Sequence, residues 1–240
     1  VLKNFQAHRG LLLAGAIAVL PCSSNLADPQ LAWIGEGLAE ELTRRLARLP
    51  SLNVIASTSS FALADAGLTA REIGERLGAA HVVSCSLRED ISSGEVRVAA
   101  ELTEASTDAL RWNGVEIEPA ATLLDALDEI SVELAGKVQA GLVGSERALL
   151  ERNGASNLRA LELYRNAIVS SERWQSESMR AAIAMLEEAI AIDPYFALAY
   201  AGLAKCHLDQ RQLDNLPFEP VAARAGAAIA RALELDPDLG

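Results

Sequence analysis

Residues 9–24 read RGLLLAGAIAVLPCSS, and the interpretation of this stretch decides where the fold begins. The basic residues Lys3 and Arg9 precede an apolar run and a cysteine, as in an export signal. The same run closes on Pro21, as a short buried strand does. A signal would place Pro21 directly before the cleaved bond, where small residues belong and where proline makes a poor peptidase substrate. We therefore interpret Ala16–Leu20 as the first strand and residues 1–15 as a lead-in, with a lipoprotein anchored through Cys22 as the alternative.

The composition describes an acidic chain of 240 residues with a net charge of −12. Half of the residues are hydrophobic and only 4% are aromatic, so the cores must be built from aliphatic side chains. The length suffices for one or two domains. Both halves of the chain are acidic and no basic patch occurs, so we expect this segment to bind no nucleic acid. No apolar run reaches the roughly 20 residues that a transmembrane helix needs.

Three cysteines, Cys22, Cys85 and Cys206, lie far apart, and none of them forms a CxxC pair. The histidines are equally scattered, which leaves no spacing typical of a zinc site. We expect all three cysteines to be small buried side chains with free thiols. Free thiols favour a reducing compartment, so we expect a cytoplasmic location, with a periplasmic or membrane-anchored location as the alternative.

The first 150 residues alternate between strand-like and helix-like periods. Apolar residues three or four apart predict an amphipathic helix over Leu31–Leu49. Thr69 and Glu72 have capping-box spacing, which predicts a short helix that ends at Gly78. STSSF (57–61) is predicted to be a loop, as is SSNLADPQ (23–30). The other predicted elements are strands at Leu52–Ala56, Ala80–Leu87, Glu95–Thr103 and Leu110–Ile117, a hairpin turn at 92–94, and a long helix at Ala121–Val143. The order βαβαβββα predicts an α/β domain with a mixed sheet over residues 16–150.

From residue 156 to residue 240 the pattern is helical only, and it contains an internal repeat. The stretches EEAIAIDPYFALAY (187–200) and ARALELDPDLG (230–240) share an Asp-Pro unit, and Pro194 and Pro237 lie 43 residues apart. A helix–turn–helix unit of about 34 residues with an insertion of about nine gives this spacing. We place the insertion in DQRQLDNLPFEP (209–220), between the two helices of the second unit.

This helical segment resembles the tetratricopeptide repeat. Small residues stand at its helix-crossing positions, namely Ala182, Ala189, Ala225 and Ala232. In the second unit the places where the repeat usually has Trp, Leu, Gly and Tyr are held by Tyr200, Leu203, Ala204 and His207. In the first unit these places are held by Leu163, Asn166, Ala167 and Ser170, a looser match. The resemblance implies two TPR-like helix–turn–helix units over residues 156–240.

The first domain resembles the TolB amino-terminal-like domain, which is related to the FlgO-type domain. The stretches that carry the resemblance are IAVLP (17–21), LADPQLAWIGEGLAEELTRRLARLPSLNVIA (26–56), REIGERLGAAHVVSCSLR (71–88), GEVRVAAELTEASTDALRW (94–112) and LDALDEISVELAGKV (124–138). Together with tetratricopeptide repeats, this domain looks like the carboxy-terminal part of bacterial signalling proteins. In that family an adenylate or guanylate cyclase domain, or a winged-helix DNA-binding domain, often occupies the other end. Neither domain lies in these 240 residues.

Motifs of the common catalytic classes are absent from the sequence, which has no GxSxG, HExxH, P-loop or GxGxxG pattern. An enzyme hypothesis would use the hydroxyls of Ser57–Ser60 together with His81, although such hydroxyls more often satisfy local backbone groups. The predicted helix after the last strand carries an acidic stripe, namely Asp125, Asp128, Glu129 and Glu133. We expect a solvated face there rather than a metal site. We therefore expect no catalytic residues, no cofactor and no metal.

The positive case for function is binding of a protein partner. Stacked helix pairs form a concave surface from their first helices. By the repeat alignment, the residues of the second unit that face this groove are Leu198, Ala201, Lys205 and Leu208, and Lys205 is placed to meet a partner carboxylate. Trp174 falls in the inter-helix loop of the first unit, where an exposed indole is a contact residue. The alternative is that the two units only dock against the α/β domain. We expect a non-catalytic regulatory or scaffold segment that binds another protein or its own effector domain; a cell-envelope lipoprotein with an assembly role is the alternative.

Overall fold

The computed structural model describes residues 16–26, 33–90, 93, 95–138, 155–237 and 239. The chain divides into two compact units, Val1–Arg152 and Asn153–Gly240. We call the first the α/β unit and the second the helical unit.

A six-stranded mixed sheet forms the centre of the α/β unit. Its strands are β1 Ala16–Val19, β2 Ser23–Asn25, β3 Asn53–Val54, β4 His81–Glu89, β5 Val96–Glu104 and β6 Ala109–Glu118. The strand order is β3-β1-β4-β5-β6, and β2 also pairs with β4. The pairs among β1, β2, β3 and β4 are parallel, whereas β4–β5 and β5–β6 are antiparallel. The mixed α/β class predicted for this unit is confirmed.

Strand β1 lies inside the sheet, between β3 and β4, and its four residues are fully buried. Ile17 is in register with Val54 on one side and with His81 on the other. The N–H of Leu20 donates to the carbonyl of Val83 at 2.9 Å, which extends the pairing by one residue. The predicted first strand is therefore confirmed. A signal cleaved before Cys22 would remove this strand from the sheet; residues 1–15 lie outside the described part of the chain.

The helices of the α/β unit lie on both faces of the sheet. They are α1 Ile34–Ala47, α2 Ser57–Phe61, α3 Ala70–Leu77 and α4 Leu123–Val138. Helix α4 contacts α1, and its Glu133 accepts a hydrogen bond from the buried Trp112 of β6. Trp112 is in register with Leu102 of β5, and Leu102 with Val83 of β4, so the three side chains share the face of the sheet that α4 covers. Helix α3 packs instead on Val82, whose side chain points to the opposite face.

The predicted boundaries of α3 are confirmed by its caps. The hydroxyl of Thr69 accepts the N–H of Glu72 at 3.2 Å, and the carboxylate of Glu72 accepts the N–H of Thr69 at 2.9 Å. Gly78 ends the helix with a φ of 71°, in the left-handed region that glycine adopts without a steric cost.

Two segments predicted as loops form regular structure instead. The residues STSSF form the short helix α2, where the hydroxyl of Ser60 donates to backbone carbonyls of Ala56 and Ser57. Residues Ser23–Asn25 form β2, because β4 extends past the end of β1 and its backbone groups there need partners. Two predictions fall partly outside the described residues, namely the turn at 92–94 and the last part of the helix at Ala121–Val143, which is described from Leu123 to Val138.

Cys22 and Cys85 form a disulfide, so the prediction of three free thiols is wrong for this pair. The two residues are 63 positions apart, but the pairing of β2 with β4 puts Ser23 opposite Ser86 and brings the neighbouring cysteines within a Cα–Cα distance of 4.4 Å. Cys206 is free and buried, as predicted. The argument from free thiols for a reducing compartment therefore loses its basis.

The helical unit consists, in its described residues, of four consecutive helices. They are α5 Leu158–Ser171, α6 Ser176–Ile192, α7 Ala197–Asp214 and α8 Phe218–Leu235. Each helix contacts the next one, and α5 also contacts α7. All four small residues predicted at helix crossings are buried, namely Ala182, Ala189, Ala225 and Ala232. The prediction of a helical second part is confirmed.

The insertion predicted between the last two helices does not form a loop. Helix α7 continues to Asp214 and α8 begins at Phe218, so only residues 215–217 connect them. Asn215 ends α7 in the left-handed conformation, with a φ of 49°. Helix α7 has 18 residues against 14 in α5. The additional residues lengthen the helices because no helix breaker precedes Asn215.

The Asp-Pro turn between α6 and α7 is tied to the start of the helical unit. Asp193 is buried, and its Oδ2 accepts hydrogen bonds from the N–H and the hydroxyl of Ser156 at 2.7 and 2.9 Å. Its Oδ1 accepts the N–H of Tyr195 at 3.2 Å. After this turn the fully buried ring of Phe196 packs edge to face against Tyr164 of α5, with a centroid distance of 5.2 Å.

Candidate interaction surface

Four of the five predicted contact residues lie on one side of α7, which we call the α7 face: Leu198, Ala201, Lys205 and Leu208. Their spacing of three, four and three residues aligns them along the helix. Leu198 and Ala201 are half-buried, whereas Lys205 is exposed and Leu208 exposes 39% of its surface. The accessible part of the α7 face is therefore its carboxy-terminal half.

Lys205 has an acidic partner within its own helix. Its ammonium group donates to Oδ2 of Asp209, one turn further along α7, at 2.5 Å. This hydrogen bond is the main cause that raises the pKa of Lys205. Exposed ion pairs of this kind contribute little to stability, about 0.3–0.5 kcal/mol on a helix. Asp209 therefore holds the ammonium group of Lys205 only weakly.

The end of α5 lies beside the middle of α7. Ser171 is near enough to Cys206 to affect the pKa of its thiol, and Glu172 is near enough to Lys205 to favour the charged form of the ammonium group. Trp174 follows two residues after Glu172 with a φ of 50°, and it exposes 50% of its surface. The structure thus brings the turn that carries Trp174 into the same region as Lys205.

His207 is a buried ionisable group on the inner side of α7. It exposes only 6% of its surface, and its Nδ1 has no hydrogen-bond partner among the described residues. Burial is the main cause that lowers the pKa of His207; Arg224 of α8 lowers it further, and Glu187 of α6 opposes this. In the sequence, the signal for a buried ring at this point is the alignment of His207 with an aromatic position of the predicted repeat.

Two residues of the predicted acidic stripe on α4 have structural partners. The carboxylate of Asp128 pairs with the guanidinium of Arg45 from α1, and Glu133 accepts the indole N–H of Trp112 at 2.8 Å. Arg45 is buried and also bonds Glu41 at 2.8 Å. Burial is the main cause that lowers the pKa of Arg45. The other two residues of the stripe, Asp125 and Glu129, are exposed, as expected of a solvated face.

Among the described residues, no hydrogen bond joins Ser57–Ser60 to His81, the groups of the enzyme hypothesis. Ser60 is buried and donates to its own turn, as described above. His81 is half-buried at the start of β4, where burial lowers its pKa and Glu104 and Arg111 are its charged neighbours.

The described part of the chain holds neither a metal-type cluster nor a membrane-spanning helix. No group of three or more His, Cys, Asp or Glu residues there could hold a metal ion. None of the helices described is long and apolar enough to cross a membrane.

The sequence comparison relates the chain to a protein of Rhizobium meliloti (strain 1021) named "Putative adenylate cyclase 3", with 25% identity over 189 residues. The match covers 79% of this chain and 32% of that protein, so the chain spans about a third of the length of this curated relative. The aligned length exceeds that of the larger unit, Val1–Arg152, so the match includes parts of both units. No family model matches the chain.

The structure comparison finds distant neighbours. TolB from Acinetobacter baumannii has 16% identity and a TM-score of 0.37, over 53% of this chain and 29% of that one. The PelC dodecamer from Paraburkholderia phytofirmans has 19% identity and a TM-score of 0.35, over 51% of this chain and 87% of that one. The LpoB C-terminal domain from Salmonella enterica has 17% identity and a TM-score of 0.33, over 49% of this chain and 91% of that one.

Proposed function

We propose that this chain is a regulatory or scaffold segment of a bacterial signalling protein associated with an adenylate cyclase. One observation carries the proposal: the match to the cyclase-named relative includes parts of both units but only about a third of that protein. When two proteins share two adjacent units but differ in the rest of their length, the shared part is expected to be a module attached to a separate effector domain. In this proposal the segment performs no covalent chemistry, and any cyclase activity belongs to another part of the polypeptide.

The helical unit acts in this proposal as two tetratricopeptide-type units. Three features support this assignment: buried alanines at the helix crossings, the repeated Asp-Pro turn, and the contact between α5 and α7, the first helices of the two units. First helices that touch form a continuous surface for a partner segment.

The contact region is the exposed half of the α7 face together with Trp174. Leu208 and the indole of Trp174 offer apolar area, and Lys205 offers a charge that is only weakly held by Asp209. Aromatic anchors beside a few charges are typical of protein interfaces. The partner segment is therefore expected to carry a carboxylate next to an apolar side chain. It belongs either to another protein or to the effector domain of the same polypeptide.

Site-specific photocrosslinking in the native host tests this function. A photoreactive residue is placed at Leu208, and in a matched control at Leu110, which exposes 55% of its surface on β6 of the other unit. We expect a defined crosslink from position 208, to a single protein or to the effector domain, and Lys205→Glu should weaken it several-fold. If position 208 gives no more adduct than position 110, the proposed contact surface is wrong.

A second proposal concerns the compartment and rests on the disulfide. Structural disulfides persist mainly in oxidising compartments, so Cys22–Cys85 favours an extracytoplasmic location for the α/β unit over the predicted cytoplasmic one. Because this bond uses the sulfur of Cys22, it leaves no thiol there for lipid attachment. Alkylation of thiols in intact cells before lysis checks the proposal. Blocked Cys22 and Cys85 would show that the pair is reduced in the cell and would return the location to the cytoplasm.

A further inference from the structure

Helix α8 has an apolar side that the described residues leave largely uncovered. We call it the α8 face; it consists of Ala222, Gly226, Ile229 and Leu233, which align along the helix. Ile229 and Leu233 expose 43% and 45% of their surfaces. The side of α8 that packs inside the unit is a different one and is buried; it comprises Val221, Ala225, Ala228 and Ala232.

Helix α6 shows what happens at the same positions one repeat earlier. The 43-residue offset between the two Asp-Pro turns aligns Met179 with Ala222, Ile183 with Gly226, Leu186 with Ile229 and Ile190 with Leu233. On α6 the first three of these residues are buried and Ile190 is half-buried. The same side of the repeated helix is thus covered in α6 and open in α8.

The element that covers α6 on this side is α7. The two helices contact each other, and a β-carbon added at Gly202 of α7 would lie 3.3 Å from Cδ2 of Leu186. Helix α7 therefore presents a residue without a side chain where Leu186 projects. Such a small residue allows the two helix backbones to approach closely.

The ends of α6 and α8 have the same local geometry. Asp193 caps α6 with φ −128° and ψ 87°, and its N–H donates to the carbonyl of Ala189 at 2.8 Å. Asp236 caps α8 with φ −138° and ψ 92°, and its N–H donates to Ala232 at 2.8 Å. Proline follows both caps. The turn that directs α7 onto α6 is therefore repeated at the end of α8.

We propose that the α8 face is the docking surface for a further amphipathic helix of the same polypeptide, which enters after the Asp236–Pro237 turn and packs on α8 as α7 packs on α6. The occupant carries an apolar stripe with a small residue opposite Ile229. The curated relative has about two thirds of its length outside the shared part, so its polypeptide is long enough for such a helix. The inference rests on the proposal that this chain is a segment of a longer polypeptide, but it does not depend on what binds the α7 face, and its test is separate from the crosslinking test.

The experiment compares Ile229→Asp in two chains. One is the 240-residue chain, in which the α8 face is open, and the other is the full-length polypeptide purified from its own cells. In the 240-residue chain we expect the thermal midpoint of the helical unit to change by less than about 2 °C. In the longer chain we expect a loss of about 5 °C or more, because a charge is buried under the added helix. Ala227→Asp is the matched control, since Ala227 is exposed and lies away from both the α8 face and the buried side.

A grafted helix gives the second measurement. Residues 195–217, which contain α7 and its cap, are appended after Pro237 of the 240-residue chain. We expect a higher thermal midpoint, by about 5 °C, and Leu233→Ser, a milder substitution than Ile229→Asp, should remove part of this gain. The proposal is overturned if the grafted helix does not raise the thermal midpoint and Ile229→Asp lowers the midpoint equally in the 240-residue chain and in the full-length polypeptide. A 240-residue chain that is dimeric by light scattering and becomes monomeric on Ile229→Asp would also overturn it, because the occupant would then be a second copy.

Discussion

The two units of this chain are built from side chains of different size. Among the described residues, most buried hydrophobic side chains of the α/β unit are larger than alanine, such as Ile17; the helical unit buries fewer side chains of that size, among them Phe196 and Leu186. The helical unit buries alanine instead at most of its contacts, for example at Ala182 and Ala225. A sheet with helices on both faces leaves a thick space that large aliphatic side chains fill. Helices that cross at alanine approach closely and need little volume between them.

The units differ also in the range of their contacts along the sequence. In the α/β unit, the disulfide links positions 63 apart, and the ion pair of Arg45 with Asp128 spans 83. In the helical unit, each helix packs mainly on its sequence neighbour. We therefore expect a substitution in the centre of the sheet to affect the whole α/β unit, and a substitution between helices to affect the helical unit alone.

Val19→Asp has the largest expected effect. Val19 is fully buried in β1, and the substitution places an unpaired carboxylate inside the sheet, which costs about 4 kcal/mol or more. We expect the α/β unit to unfold while the helical unit keeps its own thermal transition, followed by circular dichroism. Val115→Asp on the edge strand β6, where Val115 is 44% exposed, is the control and should have a small effect. An unchanged melting curve for Val19→Asp would contradict the strand assignment.

Phe196→Ala is the corresponding test of the helical unit. It removes the largest buried side chain there and its ring contact with Tyr164, at an expected cost of about 3–5 kcal/mol. The transition of the α/β unit should stay in place. Phe218→Ala serves as the control, because Phe218 is 58% exposed, with Arg211 lying 5.4 Å from the centre of its ring. Equal losses for both variants in urea unfolding would show that this core does not depend on Phe196.

Breaking the disulfide should destabilise only the α/β unit, by about 2–4 kcal/mol. Reduction should lower its unfolding midpoint, and the double variant Cys22→Ser, Cys85→Ser should no longer respond to the reductant. Denatured protein alkylated without reductant should show one free thiol, that of Cys206, and all three thiols after reduction. Three thiols before reduction would mean that the bond is absent.

The smallest expected effect is the pH dependence that His207 gives the helical unit. Its pKa in the folded state lies below the unfolded value of about 6.5, so the unfolded state binds more protons. The stability that neutral, buried His207 gives the helical unit is therefore fully present above about pH 6.5. It is lost as the pH falls through the pKa of His207 in the folded state. His207→Phe should flatten this slope in denaturation measured between pH 5 and 8. His81→Gln in the other unit is the control; if it flattens the slope equally, the assignment to His207 is wrong.

Local sequence signals predicted the parts of the fold that short segments determine. The capping box of Thr69 and the left-handed Gly78 are examples, because both depend on backbone groups within one helical turn. The face of α7 also follows from spacing alone. The pairing of Lys205 with Asp209 could have been predicted as well, since residues four apart face each other on a helix.

The features that the sequence did not predict depend on distant segments. Strand β2 exists because β4 is longer than β1, and the disulfide follows from that pairing. Asp128 was assigned to a solvated face because its partner, Arg45, lies on another helix. The insertion in the helical unit was placed in a loop although its residues are compatible with helix, and only the packed structure shows that α7 and α8 absorb it.

The intact mass of the native polypeptide, taken from its own cells, tests most directly the claim that this chain is a segment of a larger signalling protein. We predict a species far heavier than the 25.4 kDa of these 240 residues, with an effector domain in the additional sequence. A native species of 25.4 kDa, or a membrane species that begins at a lipid-modified Cys22, would contradict the account.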